Sequence, residues 1–157
     1  EDFKKIYDSL NLYDNVVSND IIVVANKIPD FAFFGELNAN LALRAGASGA
    51  IIDGVTRDTR ETVDIGFPVF SKGNYCKDTR KRGIVTAKNR TVIIDGISIH
   101  KNDLIFGDKD GIVVIPKKYE REIIDTALEK MKNEKMILID VAKGIKTSEL
   151  TEKYGMF

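Results

Sequence analysis

Short runs of β-branched and other apolar residues recur along this chain and alternate with segments of helical period. Gly, Pro or Asp closes most of the runs, as expected where a strand gives way to a turn. The runs occupy residues 21–25, 49–53, 68–70, 92–94, 97–99, 104–106 and 112–115. This alternation is typical of a mixed α/β domain, because buried strands read as continuous apolar segments and the helices between them keep one apolar face.

Helices are predicted for four of the intervening segments. In residues 35–45, Leu37, Leu41 and Ala45 fall four apart on one face, and Gly46 suits a left-handed helix end. Thr56 is expected to cap a helix that runs through Asp64. Further helices are predicted for residues 118–141 and 148–153.

Two antiparallel hairpins are predicted in the second half of the chain. Asp95-Gly96 tolerates the positive φ of a type I′ turn, so the runs at 92–94 and 97–99 are expected to pair. The runs at 104–106 and 112–115 are predicted to continue the same sheet across the loop at 108–111.

Size and charge narrow the class of protein. A chain of 157 residues is sized for one domain, 1–157, with an irregular or helical lead-in at 1–20 and a helical segment at 118–157. Equal numbers of basic and acidic residues, 24 each, make nucleic acid an unexpected partner. Cys76 is the only cysteine and no segment resembles a membrane span, so we expect a cytoplasmic protein with no membrane partner.

Arg57 and Asp58 are the residues whose side chains most clearly suit ligand binding or catalysis. They follow the strand at 49–53, and Gly54 lets the backbone leave the sheet at the edge where ligands bind in open α/β folds. A guanidinium matches a substrate carboxylate, and an adjacent carboxylate offers a hard oxygen ligand to Mg²⁺ or Mn²⁺. From these two residues alone, a surface ion pair is an equal alternative.

Five segments in order resemble the RraA-like family. They are residues 35–37 (GEL), 46–58 (GASGAIIDGVTRD), 66–70 (GFPVF), 95–97 (DGI) and 102–116 (NDLIFGDKDGIVVIP). That family includes class II pyruvate aldolases acting on 4-hydroxy-4-methyl-2-oxoglutarate and 4-carboxy-4-hydroxy-2-oxoadipate. The resemblance implies an α/β/β swivelling-type domain with a mixed sheet, here with a shortened N-terminal part, and assembly into a homotrimer or a dimer of trimers.

The resemblance also implies roles for individual residues. Asp58 would bind the divalent metal, Mg²⁺ or Mn²⁺, Glu36 would hold a metal-bound water, and Arg57 would contact the pyruvyl group. Arg57 and Glu36 are thus the expected catalytic residues. The helix start would offer backbone N–H groups to the substrate carboxylate. The implied substrate-binding residues are Gly35, Glu36, Leu37, Asn38 and Arg57.

Two functions of different classes follow. The first is a metal-dependent lyase that cleaves a 4-hydroxy-2-oxo acid to pyruvate through a metal-stabilised enolate, with oxaloacetate decarboxylation as a side activity. The second is a noncatalytic RraA-like domain that regulates or binds another protein. Glu36 favours the lyase, because the aldolases carry an acidic residue at this distance before Arg-Asp, and the family's regulator of ribonuclease E has glycine there.

Overall fold

The computed structural model describes residues Asn11–Met156, and the chain divides after Lys101 into two compact units. The single domain 1–157 stays a prediction, and residues 1–10 of the predicted lead-in lie outside the described residues. The first unit contains a 3₁₀ helix (Asn11–Asn15), β1 (Ile21–Val24), α1 (Glu36–Ala45), β2 (Gly49–Thr56), α2 (Thr59–Asp64), β3 (Val69–Asn74), β4 (Val92–Ile94) and β5 (Ile97–Ile99). The second contains β6 (Leu104–Gly107), β7 (Ile112–Ile115), a 3₁₀ helix (Lys117–Tyr119), α3 (Glu120–Ala142) and α4 (Thr147–Tyr154).

A three-stranded parallel sheet organises the first unit, with β2 between β1 and β3. Most residues of β2 are buried, which explains why its sequence is a continuous apolar run. The pairing of β2 with β3 shifts register between Ile52 and Val55, around Gly54 at φ 153°. This irregularity lets β2 continue to Thr56, beyond the predicted end at Gly54.

The residue that begins the following helix was predicted wrongly. Thr56 is the last residue of β2, is buried, and donates its hydroxyl to the carbonyl of Phe34 at 2.9 Å. The helix α2 begins at Thr59 with Asp58 as its N-cap residue. A long-range hydrogen bond therefore uses the hydroxyl that the local sequence pattern assigned to a cap.

Helix α1 begins and ends as predicted, and two residues of its predicted apolar face, Leu41 and Ala45, pack half-buried against the core. Gly46 lies in the left-handed region at φ 100° and closes the helix. Its buried residues are Asn38, Ala39 and Ala42, and Leu37 is exposed. Two alanines on the buried face allow the helix backbone to approach the core closely.

The core of the first unit lies between α1, the sheet and the segment before α1. Phe34 and Phe67 are almost fully buried and their rings stack with centroids 6.1 Å apart. The buried hydroxyl of Tyr13 donates to Asn38 Oδ1 at 2.9 Å, and burial raises the Tyr13 pKa. These contacts fix the start of α1 against the core.

The mixed α/β class is confirmed, with a difference in how the strands are grouped. Asp95 and Gly96, both at positive φ, form the predicted turn between β4 and β5, and β6 pairs with β7 in antiparallel register. Among the described strands these pairs form separate two-stranded sheets and do not extend the parallel sheet. The strand β3 also runs on to Asn74, beyond the predicted apolar run at 68–70.

The C-terminal segment is helical as predicted, and a buried carboxylate joins its two helices. Asp140 of α3 accepts hydrogen bonds from Lys153 at 2.7 Å and Tyr154 at 2.8 Å, both on α4, and from Lys143 at 3.0 Å. The predicted apolar face of α3 is largely exposed, and Ile137 and Asp140 are its buried residues.

No helix within residues 11–156 is both long and apolar enough to span a membrane.

The Asp140 cluster makes unfolding pH-dependent. Hydrogen bonds from Lys153, Tyr154 and Lys143 hold the Asp140 pKa well below its usual range. The carboxylate therefore contributes stability above its ordinary pKa of about 4, and that contribution falls as the pH drops below it. We expect Asp140→Asn to unfold more easily than the parent protein at pH 7, with the difference shrinking toward about pH 2.

Urea denaturation at a series of pH values measures this difference. Asp125→Asn is the matched control, because Asp125 is an exposed carboxylate of the same helix whose ion-pair partner among residues 11–156 is Arg121, at 3.9 Å. A difference between Asp140→Asn and the parent that stays constant between neutral and acidic pH would contradict the prediction.

Candidate functional site

The carbonyl oxygen of Phe34 brings two distant segments together. It accepts the hydroxyl of Thr56 at 2.9 Å and the backbone N–H of Arg57 at 3.2 Å. The residues just before α1 are thus bound to the carboxyl end of β2. Glu36 and Arg57, which twenty residues separate in the sequence, consequently belong to neighbouring segments of the structure.

Gly35 and Asp58 are in direct contact at this junction. A Cβ atom on Gly35 would lie 2.5 Å from Asp58 Oδ2 and 3.0 Å from Arg57 Cγ, so only glycine fits without moving the neighbouring side chains. Asp58 Oδ2 accepts the backbone N–H of Glu36 at 3.1 Å. The carboxylate therefore lies at the N-terminus of α1, where the helix dipole favours a negative charge.

Asp58 itself has an unusual backbone conformation for a residue other than glycine. It lies in the left-handed region at φ 53° and ψ 43°, and its side chain makes no capping bond to α2. Its backbone carbonyl accepts the N–H of Thr62 at 3.1 Å. The backbone carbonyl of Asp58 thus accepts a hydrogen bond from α2, and its side chain accepts one from the first residue of α1.

Arg57 lies between two carboxylates. Its Nη1 donates to the carbonyl of Ala32 at 2.9 Å and lies 3.0 Å from Asp78 Oδ2, and its Nε lies 3.5 Å from Asp58 Oδ2. The Arg57 side chain is 27% exposed, so it is restrained but still reached by solvent. The expected pair of Arg57 and Asp58 is present, together with a second acidic partner.

Asp78 is the site residue that sequence reasoning missed. It belongs to the basic segment at 72–83, in which it is the only acidic residue. That isolated carboxylate among lysines and arginines was the available signal. Its pairing with Arg57 depends on a single parallel bridge between Ala32 and Asp78, which no local pattern predicts.

The start of α1 presents backbone donors beside this cluster. The first hydrogen bond of the helix runs from the N–H of Ala39 to the carbonyl of Gly35, so the N–H groups of Leu37 and Asn38 precede it. Leu37 is 64% exposed. The side chain of Asn38 is buried, donates to Phe33 at 2.8 Å and accepts from Tyr13, so only its backbone is available to a ligand.

Asp53, the other acidic residue at the end of a predicted strand, does not join the cluster. It pairs with Lys72 Nζ at 2.6 Å, and Asp95 pairs with the same ammonium at 2.8 Å. These two hydrogen bonds, the one to Asp53 first, raise the pKa of Lys72 to about 12. Lys72 thus ties β2 to the β4–β5 turn, which is a structural role.

An open cavity of about 510 Å³ lies in the first unit. Its lining residues are Asp30, Phe31, Val55, Asn74, Tyr75 and Lys77. The Lys77 ammonium lies 5.7 Å from the centre of the Phe31 ring and 5.9 Å from that of Tyr75. None of the predicted site residues lines this cavity, but Phe31 and Lys77 directly precede Ala32 and Asp78, which contact Arg57.

The chemistry of the cluster suits a small anion accompanied by a cation. Asp58 and Asp78 flank the guanidinium of Arg57, and a second guanidinium, that of Arg82, donates to the backbone carbonyl of Asp78 at 3.2 Å, so carboxylates and guanidinium groups lie together here. Within residues 11–156, no group of three or more His, Cys, Asp or Glu side chains is arranged to hold a metal ion. A cation here would therefore need water and ligand oxygens to complete its coordination, as Mg²⁺ commonly does.

Two proteins of known sequence match most of this chain, and one of them is named as an aldolase. DlpA of Legionella pneumophila is 27% identical over 149 residues, which are 94% of this chain and 24% of that protein. A protein of Halalkalibacterium halodurans, named as a proposed 4-hydroxy-4-methyl-2-oxoglutarate aldolase, is 31% identical over 119 residues, 76% of this chain and 56% of that protein. The chain thus spans about a quarter and just over half of these two relatives.

Solved structures and a family model complete the comparison. A crystal structure of an uncharacterised protein from Pseudomonas syringae pv. tomato has a TM-score of 0.86 at 30% identity, covering 93% of this chain and 69% of that one. RraAS2 of Streptomyces coelicolor, described as an unusual member of the RNase ES inhibitor RraA family, shares the fold with a TM-score of 0.71 at 23% identity, covering 87% of this chain and 68% of that one. Because a family model described as RraA-like, Aldolase/RraA, matches residues 5–114, the chain belongs to the RraA-like family.

Proposed function

We propose that this protein is a lyase, dependent on a divalent metal, that cleaves a 4-hydroxy-2-oxo acid to pyruvate. The observation that carries the proposal is the convergence of Gly35, Arg57 and Asp58 at the start of α1. The aldolase name of the Halalkalibacterium halodurans relative supports the same reaction class. Assembly into a homotrimer or a dimer of trimers stays a prediction.

Asp58 is the residue that would hold the metal, Mg²⁺ or Mn²⁺. Its Oδ2 is engaged by Glu36 and Arg57, and its Oδ1 makes no hydrogen bond or ion pair within the described part of the chain. The side chain is 40% exposed, so water and substrate oxygens can fill the remaining positions. When bound, the cation supplies Lewis-acid stabilisation of negative charge on a keto oxygen.

The residues around Asp58 would bind and orient the 2-oxo acid. The N–H groups of Leu37 and Asn38 lie at the positive end of α1 and suit the substrate carboxylate. Arg57 keeps Nη2 without a partner among the described residues, which leaves two N–H donors for the oxygen on which charge develops. Such fixed donors lower the barrier because they need no rearrangement during the reaction.

Glu36 is the proposed acceptor of the substrate hydroxyl proton. It is exposed on the first turn of α1, and its backbone N–H donates to the carboxylate of Asp58. In the cleavage step, the C4 hydroxyl loses its proton through a water molecule to Glu36 and becomes a carbonyl. The electron pair of the C3–C4 bond passes to the pyruvate fragment as its enolate, which is then protonated. Decarboxylation of oxaloacetate passes through the same enolate and is proposed as a side activity.

The lyase proposal predicts release of pyruvate that depends on metal. With Mg²⁺ or Mn²⁺, the protein should release pyruvate from 4-hydroxy-4-methyl-2-oxoglutarate or from oxaloacetate, measured by coupling to lactate dehydrogenase. EDTA or Asp58→Asn should abolish the release, and Arg57→Lys should lower kcat by about 10²–10³-fold. Asp64→Asn is the matched control and should retain activity, because it removes an exposed carboxylate of α2 whose ion-pair partner in the described part of the chain is Arg60.

Two results would count against the lyase. Turnover that survives both EDTA and Asp58→Asn would exclude the metal-dependent mechanism. Absence of pyruvate release from every substrate, in a folded protein supplied with metal, would favour the alternative of a noncatalytic RraA-like regulatory or protein-binding domain.

A methyl group at Gly35 should disable the site while leaving the fold intact. In Gly35→Ala the added Cβ would meet Asp58 Oδ2 at 2.5 Å, and Asp58 is the group able to move because it is partly exposed. We expect at least a tenfold loss of kcat/KM, since misplacement by about 1 Å can reduce rates about 10²-fold.

Thermal unfolding separates this effect from a general loss of structure. Gly35 has extended backbone angles, φ −162° and ψ −166°, so alanine introduces no backbone strain and the melting temperature should change little. Gly66→Ala is the opposite control: its φ of 71° strains alanine and nothing lies within 4 Å, so it should lower stability without affecting the site. Full activity in Gly35→Ala would contradict the proposed placement of Asp58.

A further inference from the structure

The five N–H donors of the Arg57 guanidinium are unequally used. Nη1 donates to the carbonyl of Ala32 at 2.9 Å and lies 3.0 Å from Asp78 Oδ2 in an ion pair. The Nε group points toward Asp58 Oδ2 at the longer distance of 3.5 Å. Nη2 has no partner among the described residues. The contact with Asp78 is thus the shorter of the two charged contacts and fixes the end of the side chain.

Asp78 is itself held by the backbone around it. Its Oδ1 accepts the N–H of Arg80 at 2.6 Å, which leaves Oδ2 for Arg57. The N–H of Ala32 donates to the carbonyl of Lys77 at 2.7 Å, so the segment that carries Asp78 is joined to the segment that carries the second Nη1 acceptor. Both anchors of Nη1 therefore belong to one hydrogen-bonded unit.

We propose that Asp78 is a positioning residue that holds Nη1 of Arg57 so that Nη2 remains available to the substrate. The inference rests on the proposed function, because it assigns Nη2 to the oxygen on which charge develops. Without Asp78, Asp58 is the remaining carboxylate in contact with the guanidinium. A guanidinium and a carboxylate favour a two-bonded pair, which would draw a second donor of Arg57 toward Asp58. Asp78 opposes that rearrangement.

Asp78→Asn is the most informative substitution. Asp78 Oδ1 accepts the N–H of Arg80 and its Oδ2 forms the ion pair with Arg57; asparagine has one carbonyl oxygen and no charge, so it loses the ion pair. We expect kcat to fall about 10–100-fold with a smaller change in KM, because the donor affected acts on charge that develops during the reaction. Asp78→Glu keeps two acceptor oxygens and should recover part of the loss.

A double-mutant cycle distinguishes positioning from general damage. If Asp78 acts through Arg57, Asp78→Asn should have little further effect in the Arg57→Lys background, since the group it positions is already gone. Equal fold losses in the parent and in the Arg57→Lys background would overturn the proposal. Asp64→Asn, which removes another partly exposed carboxylate paired with an arginine, should leave kcat unchanged in both backgrounds.

An NMR readout tests the positioning without any turnover. The Nε–H resonance of Arg57, assigned by its loss in Arg57→Lys, should shift or broaden in Asp78→Asn and stay unchanged in Asp64→Asn. If the parent protein releases no pyruvate but this resonance responds, the lyase proposal fails and the positioning of Arg57 by Asp78 stands. If the resonance is the same in Asp78→Asn as in the parent, the positioning is wrong, whether or not the protein is active.

Discussion

Two hydrogen bonds to the carbonyl oxygen of Phe34 determine where the candidate site forms. Thr56 and Arg57, at the end of β2, donate these bonds across 22 and 23 positions of sequence. The ring of Phe34 stacks on Phe67 in the core, so the carbonyl is held from both sides. Because Gly35 directly follows this carbonyl and Asp58 directly follows Arg57, their contact is a consequence of these bonds. The bonds between the segment before α1 and the end of β2 thus determine which functional groups lie together.

The residues that form the core are buried, and the carboxylates of the candidate site are partly exposed. Substitutions in the two groups should therefore affect different properties, stability for the core and geometry for the site. Phe34 and Phe67 are almost fully buried, so truncating either ring would lower the free energy of unfolding of the first unit by about 3–5 kcal/mol. Asp58 and Asp78 are 40% and 48% exposed, where ion pairs add little to folding. Their proposed roles belong to the site: Asp78 positions the guanidinium of Arg57, and Asp58 would hold the metal. Substitutions at the two carboxylates should therefore alter geometry without unfolding the protein.

Local signals predicted the elements well, and long-range contacts account for the failures. Gly46 and the Asp95-Gly96 turn are confirmed because the backbone conformations they permit depend on a few neighbouring residues. Thr56 was assigned to a helix cap, but a carbonyl 22 positions away accepts its hydroxyl. Asp78 escaped prediction for the same reason, since its bridge to Ala32 joins segments that are distant in the sequence. The sequence identified the residues whose side chains suit ligand binding or catalysis. The partners that orient those side chains are seen only in the folded structure.

The conformation of Asp58 argues that this residue is present for its carboxylate. A carboxylate at a helix start ordinarily caps that helix, but the side chain of Asp58 makes no capping bond to α2. Its left-handed backbone, at φ 53°, disfavours a residue with a Cβ by about 1–2 kcal/mol, and glycine would remove that strain. Glycine would also remove the oxygen that contacts Glu36 and Arg57. The position therefore favours the carboxylate, which binds the start of α1 and the side chain of Arg57, over a relaxed backbone.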